Sequence, residues 1–167
     1  GNEREAKGGN MKFTTLTVTA IWAAGAAFAG VVEPGDVVFT EDGAVEASLT
    51  GKPGNAEQGA KVYGSKKLGN CVACHQITSQ DVAFPGNVGP VLDGAADRWS
   101  EAELRGILTN SKMTFEGTIM PAYYKVDGFI RPGKAYTGKA ADDTFAPLLN
   151  PVQIEDVVAF LMTLKEE

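Results

Sequence analysis

Two cysteines and one histidine are all that 167 residues contain of those types, and this scarcity narrows the chemistry at once. A structural zinc site of the Cys/His kind needs four ligands, and four are not there. Two histidines on one metal are excluded within a single subunit. Basic excess is absent too: 15 Lys and Arg against 21 Asp and Glu leave a formal charge of −6. That balance argues against nucleic acid as a partner and is compatible with an acidic contact surface. No apolar run is long enough to make a confident membrane span.

Both cysteines and the histidine fall in one stretch, Cys71-Val72-Ala73-Cys74-His75. Two thiols three positions apart, with an imidazole directly after the second, form the covalent attachment pattern of a c-type haem. Residues i and i+3 share a face of one helical turn, so both sulfurs reach one porphyrin edge and His75 falls beneath the iron as proximal ligand. A thioredoxin-like site needs a low-pKa thiolate at a helix start after a strand, and no strand-like run precedes Gly69-Asn70. With both thiols taken up by haem, no disulfide framework is available and no thiol remains as a nucleophile.

Residues 1–10 are polar and precede Met11; we read them as a non-native extension or a mis-set gene start. Residues 11–29 read as a secretory signal, with Lys12, a short apolar region and Ala27-Phe28-Ala29 as the cleavage site before Gly30. An uncleaved anchor is the alternative. Cleavage would remove Arg4, Lys7, Lys12, Glu3 and Glu5, leaving a chain more acidic still. Export matches the haem, because c-type cytochromes in general have their thioether bonds made on the far side of the bacterial inner membrane. The expected location is the periplasm.

Residues 30–54 carry turn signals too often for a long element, with Val37-Val38-Phe39 as the only apolar cluster. They are expected to form an extended arm on the domain or on a partner, with a short strand or two, or else a disordered leader. Residues 55–167 form the main domain. Asn55 with Gln58 reads as a capping box opening a helix that ends at Lys66-Lys67. Ser100 with Glu103 opens a second helix running to Asn110, its stripe being Leu104, Ile107 and Leu108. Asn150-Pro151-Val152-Gln153 opens the last, with Ile154, Val157, Val158, Leu161 and Leu164 at helical spacing. This helix should cross the first, with Phe160 near Tyr63 and Gly59 allowing close approach.

Between these helices lie two loops with chemistry in them. Residues 84–94 are too rich in Gly and Pro for a helix interior and are expected to wrap a haem edge. Pro90 keeps a carbonyl that can accept the Nδ1 proton of His75 and leave Nε2 for iron; the plainer reading is a turn residue. In Gly117-Thr118-Ile119-Met120-Pro121, the proline pushes Met120 towards extended backbone, which suits a thioether projected from a loop onto iron. Met113 sits at an exposed helix end and Met162 on an apolar helix, so Met120 is the candidate sixth ligand, with Lys, Tyr or an open position as alternatives. Residues 128–149 read as loop, and their aromatics Phe129, Tyr136 and Phe145 are assigned to core packing ahead of a cover over the haem or a partner.

Together these features resemble class I cytochrome c over about residues 55–167. The expected fold is all-α: helices wrapped around one covalent haem c, with an irregular N-terminal arm. Four stretches resemble more narrowly the SoxX family of mono-haem cytochromes. They are Gly69-Asn70-Cys71-Val72-Ala73-Cys74-His75; Gly86-Asn87-Val88-Gly89-Pro90-Val91-Leu92-Asp93-Gly94; Ala96-Asp97-Arg98-Trp99-Ser100-Glu101-Ala102-Glu103-Leu104-Arg105-Gly106-Ile107; and Gly117-Thr118-Ile119-Met120-Pro121-Ala122-Tyr123-Tyr124. The resemblance implies Cys71 and Cys74 as haem anchors and His75 and Met120 as axial ligands, with Pro90 and Leu92 on the haem-wrapping loop. It further implies a SoxA-type cytochrome partner, the SoxYZ carrier protein and a downstream electron-acceptor cytochrome. The implied activity, L-cysteine S-thiosulfotransferase, belongs to the SoxAX assembly, with this chain carrying electrons. A free-standing periplasmic electron carrier, or a haem sensor with an open iron, are the competing readings.

Overall fold

A computed structural model describes residues 30–129 and 145–166; the leader and signal readings, and Tyr136, lie outside the described residues. Among the described residues four α-helices follow one another: α1 (Ala56–Gly64), α2 (Ala95–Arg98), α3 (Glu101–Asn110) and α4 (Pro151–Leu161). Short 3-10 turns occupy Pro34–Asp36, Cys71–Ala73 and Ser111–Met113, and no β-strand is present among the described residues.

The helix starts lie where the cap residues put them. Ser100 and Glu103 exchange side-chain and backbone hydrogen bonds, as do Asn150 and Gln153, and Pro151 occupies the first turn of α4 where its missing N–H costs nothing. At α1 only half of the expected box forms: Asn55 Oδ1 accepts from the Gln58 amide at 3.0 Å, with no return bond from the Gln58 side chain. The Asn55 amide donates instead to Asp156 Oδ1 of α4 at 2.7 Å. The helix also ends at Gly64, short of Lys66-Lys67, because the Ser65 and Gly69 amides both turn back to the Val62 carbonyl.

α1 and α4 cross at Gly59, where an added Cβ would fall inside the van der Waals shell of the Asp156 carbonyl. The absence of a side chain there lets Tyr63 and Phe160 meet with ring centroids 5.8 Å apart, tilted by 50°. Such pairs contribute roughly 0.5–1.5 kcal/mol beyond their burial. The core continues through Ile154, Val157, Val158 and Leu161 to Leu104 and Leu108 of α3.

The arm over residues 30–54 lies on this core, without the expected strands. Val38 of the apolar cluster is 81% exposed, whereas Ala44, Val45 and Leu49, which show no regular spacing, are buried. Their backbone is fixed by side chains from afar. Glu155 of α4 accepts from the Leu49 amide at 2.7 Å, and Arg105 of α3 donates to the Val45 carbonyl at 2.9 Å. Arg105 and Glu155 are themselves paired, Nε to Oε1 at 2.9 Å, both almost wholly buried. Burial works against the guanidinium charge, but the hydrogen bonds and charges of Glu155 and Glu101 outweigh it and hold the Arg105 pKa above its usual value. Phe129 and Phe145 stack edge-on at 5.4 Å.

Candidate haem site

After α1 the chain reverses, and Asn70 takes a left-handed conformation (φ 48°) that asparagine tolerates better than most residues. It launches the Cys71–Ala73 turn, in which the Cys74 and His75 amides both donate to the Cys71 carbonyl, at 3.0 and 2.8 Å. Both sulfurs and the imidazole therefore project from a single turn. Burial pushes the Cys71 thiol up to about 11, the reverse of the depressed thiolate that a redox-active Cys-x-x-Cys requires.

The loop that follows is pinned to the motif by three backbone bonds: Gly86 to the Val72 carbonyl (2.8 Å), Gly89 to Cys74 (2.8 Å) and Leu92 to Gln76 (2.9 Å). This brings the Pro90 carbonyl to 2.8 Å from His75 Nδ1. A carbonyl can only accept, so Nδ1 carries the proton and the Nε2 lone pair is free. Gly89 is required at this contact, since a Cβ there would stand 2.6 Å from Nδ1. Asp93 closes the loop by accepting from the Thr78 hydroxyl (2.6 Å) and amide (3.0 Å), and these bonds, the hydroxyl's first, lower its pKa. From below, the Tyr63 hydroxyl donates to the His75 carbonyl at 2.7 Å; burial raises that phenol to about 12.

Met120 stands on a loop tied to the end of α3. The Tyr123 and Tyr124 amides cap the Leu108 and Thr109 carbonyls, both at 3.1 Å. The Tyr123 hydroxyl then spans to the Gly69 carbonyl at 2.9 Å, joining the Met120 loop to the cysteine motif, and burial raises its pKa. Tyr124 reaches the Val32 carbonyl of the arm at 2.7 Å. Of the competing methionines, Met113 is 47% exposed and Met162 packs against the core.

Cys71, Cys74, His75, Pro90, Leu92 and Met120 all line one cleft of about 790 Å³. Its walls are apolar side chains of α3 and α4, among them Leu104, Leu108, Val157 and Leu161. The residues fit a haem: two sulfurs and an oriented imidazole border the same apolar space as a thioether, with no group of three or more His, Cys, Asp or Glu among the described residues arranged to hold a bare metal ion. Sequence reasoning missed the three tyrosine hydroxyls and the Arg105–Glu155 pair. Nothing in the spacing of those residues marks them.

A crossed pair of terminal helices, a Cys-x-x-Cys-His turn, a carbonyl-oriented histidine and a methionine loop around one apolar cleft define a class I cytochrome c, and the cytochrome c family model matches residues 56–165. A chain in the crystal structure of SoxXA from P. pantotrophus is 64% identical, the match covering 80% of this chain and 98% of that one with a TM-score of 0.75. Comparison with curated proteins gives no match. The chain belongs to the SoxX family of c-type cytochromes and carries covalent haem c.

Proposed function

We propose that this chain is the electron-accepting subunit of a SoxAX-type complex, paired with a SoxA-type cytochrome in the periplasm. In this reading, thiosulfate is oxidatively joined to a cysteine of a SoxYZ-type carrier, and the electrons leave through this chain to a downstream cytochrome. One observation carries the division of labour: both thiols of the chain line the haem cleft, so none is left to handle sulfur. The 64% identity to a chain of SoxXA supports the partner.

When bound, the haem supplies a one-electron couple. The chain's residues do the rest: Cys71 and Cys74 would hold the porphyrin edge, the Pro90 carbonyl keeps the Nδ1 proton of His75 so that Nε2 could ligate the iron, and Met120 would offer its sulfur from the same cleft. Methionine as sixth ligand favours the reduced state relative to a second histidine, which suits a chain that accepts electrons. Joining thiosulfate to a carrier thiolate forms one S–S bond and releases two electrons. This chain relays them singly.

The test is affinity purification of the tagged periplasmic protein under gentle salt, with a haem stain and mass spectrometry of what accompanies it. A second c-type polypeptide in equal amount is expected. A lone mono-haem protein would replace this reading with a diffusible carrier.

A further inference from the structure

A methionine thioether is a flexible ligand, with three rotatable bonds between sulfur and backbone, so whatever holds it over a metal must first hold its backbone. At Met120 every polar backbone atom is engaged. Its amide donates to Thr118 Oγ1 at 3.2 Å. Its carbonyl accepts from Ser111 Oγ at 2.8 Å and also from Lys112 Nζ. Two donors use both lone pairs of that oxygen, and Pro121 restricts the residue's ψ from the other side.

The two donors are adjacent residues on the turn where α3 stops. Asn110 leaves helical geometry (φ −152°) and its Oδ1 accepts from the Lys112 amide at 3.4 Å, which sets the turn. Ser111 is fully buried, whereas Lys112 is exposed. An exposed ammonium is content in water and has no folding need to reach a particular carbonyl. It also stands near the Lys125 ammonium, which repels it. The contact with Met120 is made in spite of both.

We propose that Ser111 and Lys112 are positioning residues for the Met120 sulfur, clamping its carbonyl so that the thioether stays seated at the iron. The proposal rests on the reading of Met120 as axial ligand. Losing one donor lets the carbonyl turn and raises the fraction of molecules with the sulfur off, and an external ligand for the vacated position then binds more tightly in proportion to that fraction.

The probe is imidazole, titrated into the oxidised holoprotein of the wild type, Met120→Ala, Lys112→Met, Lys112→Arg and Ser111→Ala, together with the weak red-end absorption band of methionine-ligated haem. The wild type is expected to show the band and Met120→Ala to lack it. Lys112→Met should bind imidazole about fivefold to tenfold more tightly, the size of one hydrogen bond lost. Lys112→Arg, which can donate to the same carbonyl, should return to the wild-type affinity, and the unfolding midpoint should hardly move. Ser111→Ala should act in the same direction, and if burial makes it misfold, the exposed Lys112 variants still decide. A band that survives in Met120→Ala would sink the ligand reading and this inference with it. A band lost in Met120→Ala, with imidazole affinity unchanged in both Lys112→Met and Ser111→Ala, would sink the clamp alone. Tighter binding that Lys112→Arg does not reverse, accompanied by a lowered midpoint, would make the role merely structural and overturn it.

Discussion

Replacing Glu155 by alanine should unfold this protein more readily than any surface change of equal size. Its carboxylate accepts three hydrogen bonds, from the Leu49 amide (2.7 Å) and from Arg105 Nε (2.9 Å) and Nη2 (3.1 Å). Both side chains of the pair are almost wholly buried, 4% and 3% exposed. Removing Glu155 leaves the buried guanidinium with only the exposed Glu101 as counter-charge, towards the lower end of the roughly 3–5 kcal/mol that breaking a buried pair costs. The stranded Leu49 amide adds a share of the ~1–3 kcal/mol that an unpaired buried donor costs, and because the effects overlap we expect about 4 kcal/mol in all. Glu101 bonds the same arginine at 2.6 Å but is 62% exposed, so Glu101→Ala should cost no more than ~1 kcal/mol. The double change Arg105→Met with Glu155→Met removes both charges and should recover about half of that loss, remaining about 2 kcal/mol below the wild type because the Leu49 amide and the Val45 carbonyl stay unpaired. Equilibrium unfolding in guanidinium, followed by far-ultraviolet circular dichroism on the haem-loaded protein, reads all four. If Glu155→Ala cost less than about 1 kcal/mol, or no more than Glu101→Ala, the pair would not be what holds the arm.

Two further expectations follow from close contacts. Gly59→Ala must part α1 from α4, since its Cβ would also stand 2.7 Å from the Phe160 Cβ; a loss of ~1–3 kcal/mol or more is expected from overpacking, read as a lower guanidinium midpoint, and a midpoint equal to wild type would contradict the crossing. Asp93 has a folded pKa below its unfolded value, so its contribution is present above the ordinary carboxylate range and fades as pH falls through the folded value. Asp93→Asn should therefore flatten the acid limb of the stability profile between those two pKa values and leave the slope near neutrality unaltered. An acid limb as steep as that of the wild type would refute the assignment.

The parts of the fold that could be read from the sequence were those written in local chemistry. Caps at Ser100 and Asn150 announced α3 and α4, and the apolar stripe of α4 announced what it packs against. The Pro90 carbonyl was foreseeable because His75 needs an acceptor for Nδ1 and a proline in a Gly-rich loop has only an acceptor to give. What escaped was non-local. Leu49 and Val45 belong to a segment without period, and their burial depends on Arg105 and Glu155, residues that look like ordinary surface positions on their helices. The end of α1 was overshot because the two lysines suit a helix terminus, while the bond that stops the helix comes from the Gly69 amide turning back to Val62. Lys112 and Ser111 were passed over for the same reason: nothing in their spacing from Met120 marks a shared carbonyl.

The recognised family domain begins at residue 56, but the packed unit does not. Leu49 has no exposed surface at all, and the arm supplies both the amide and the carbonyl that Glu155 and Arg105 require. Residue 56 is therefore a poor place to cut. A haem module excised there for grafting onto another protein, or exchanged by recombination between relatives, would carry into its new setting a buried ion pair stripped of two partners. The transferable block starts upstream, with the stretch that carries no motif.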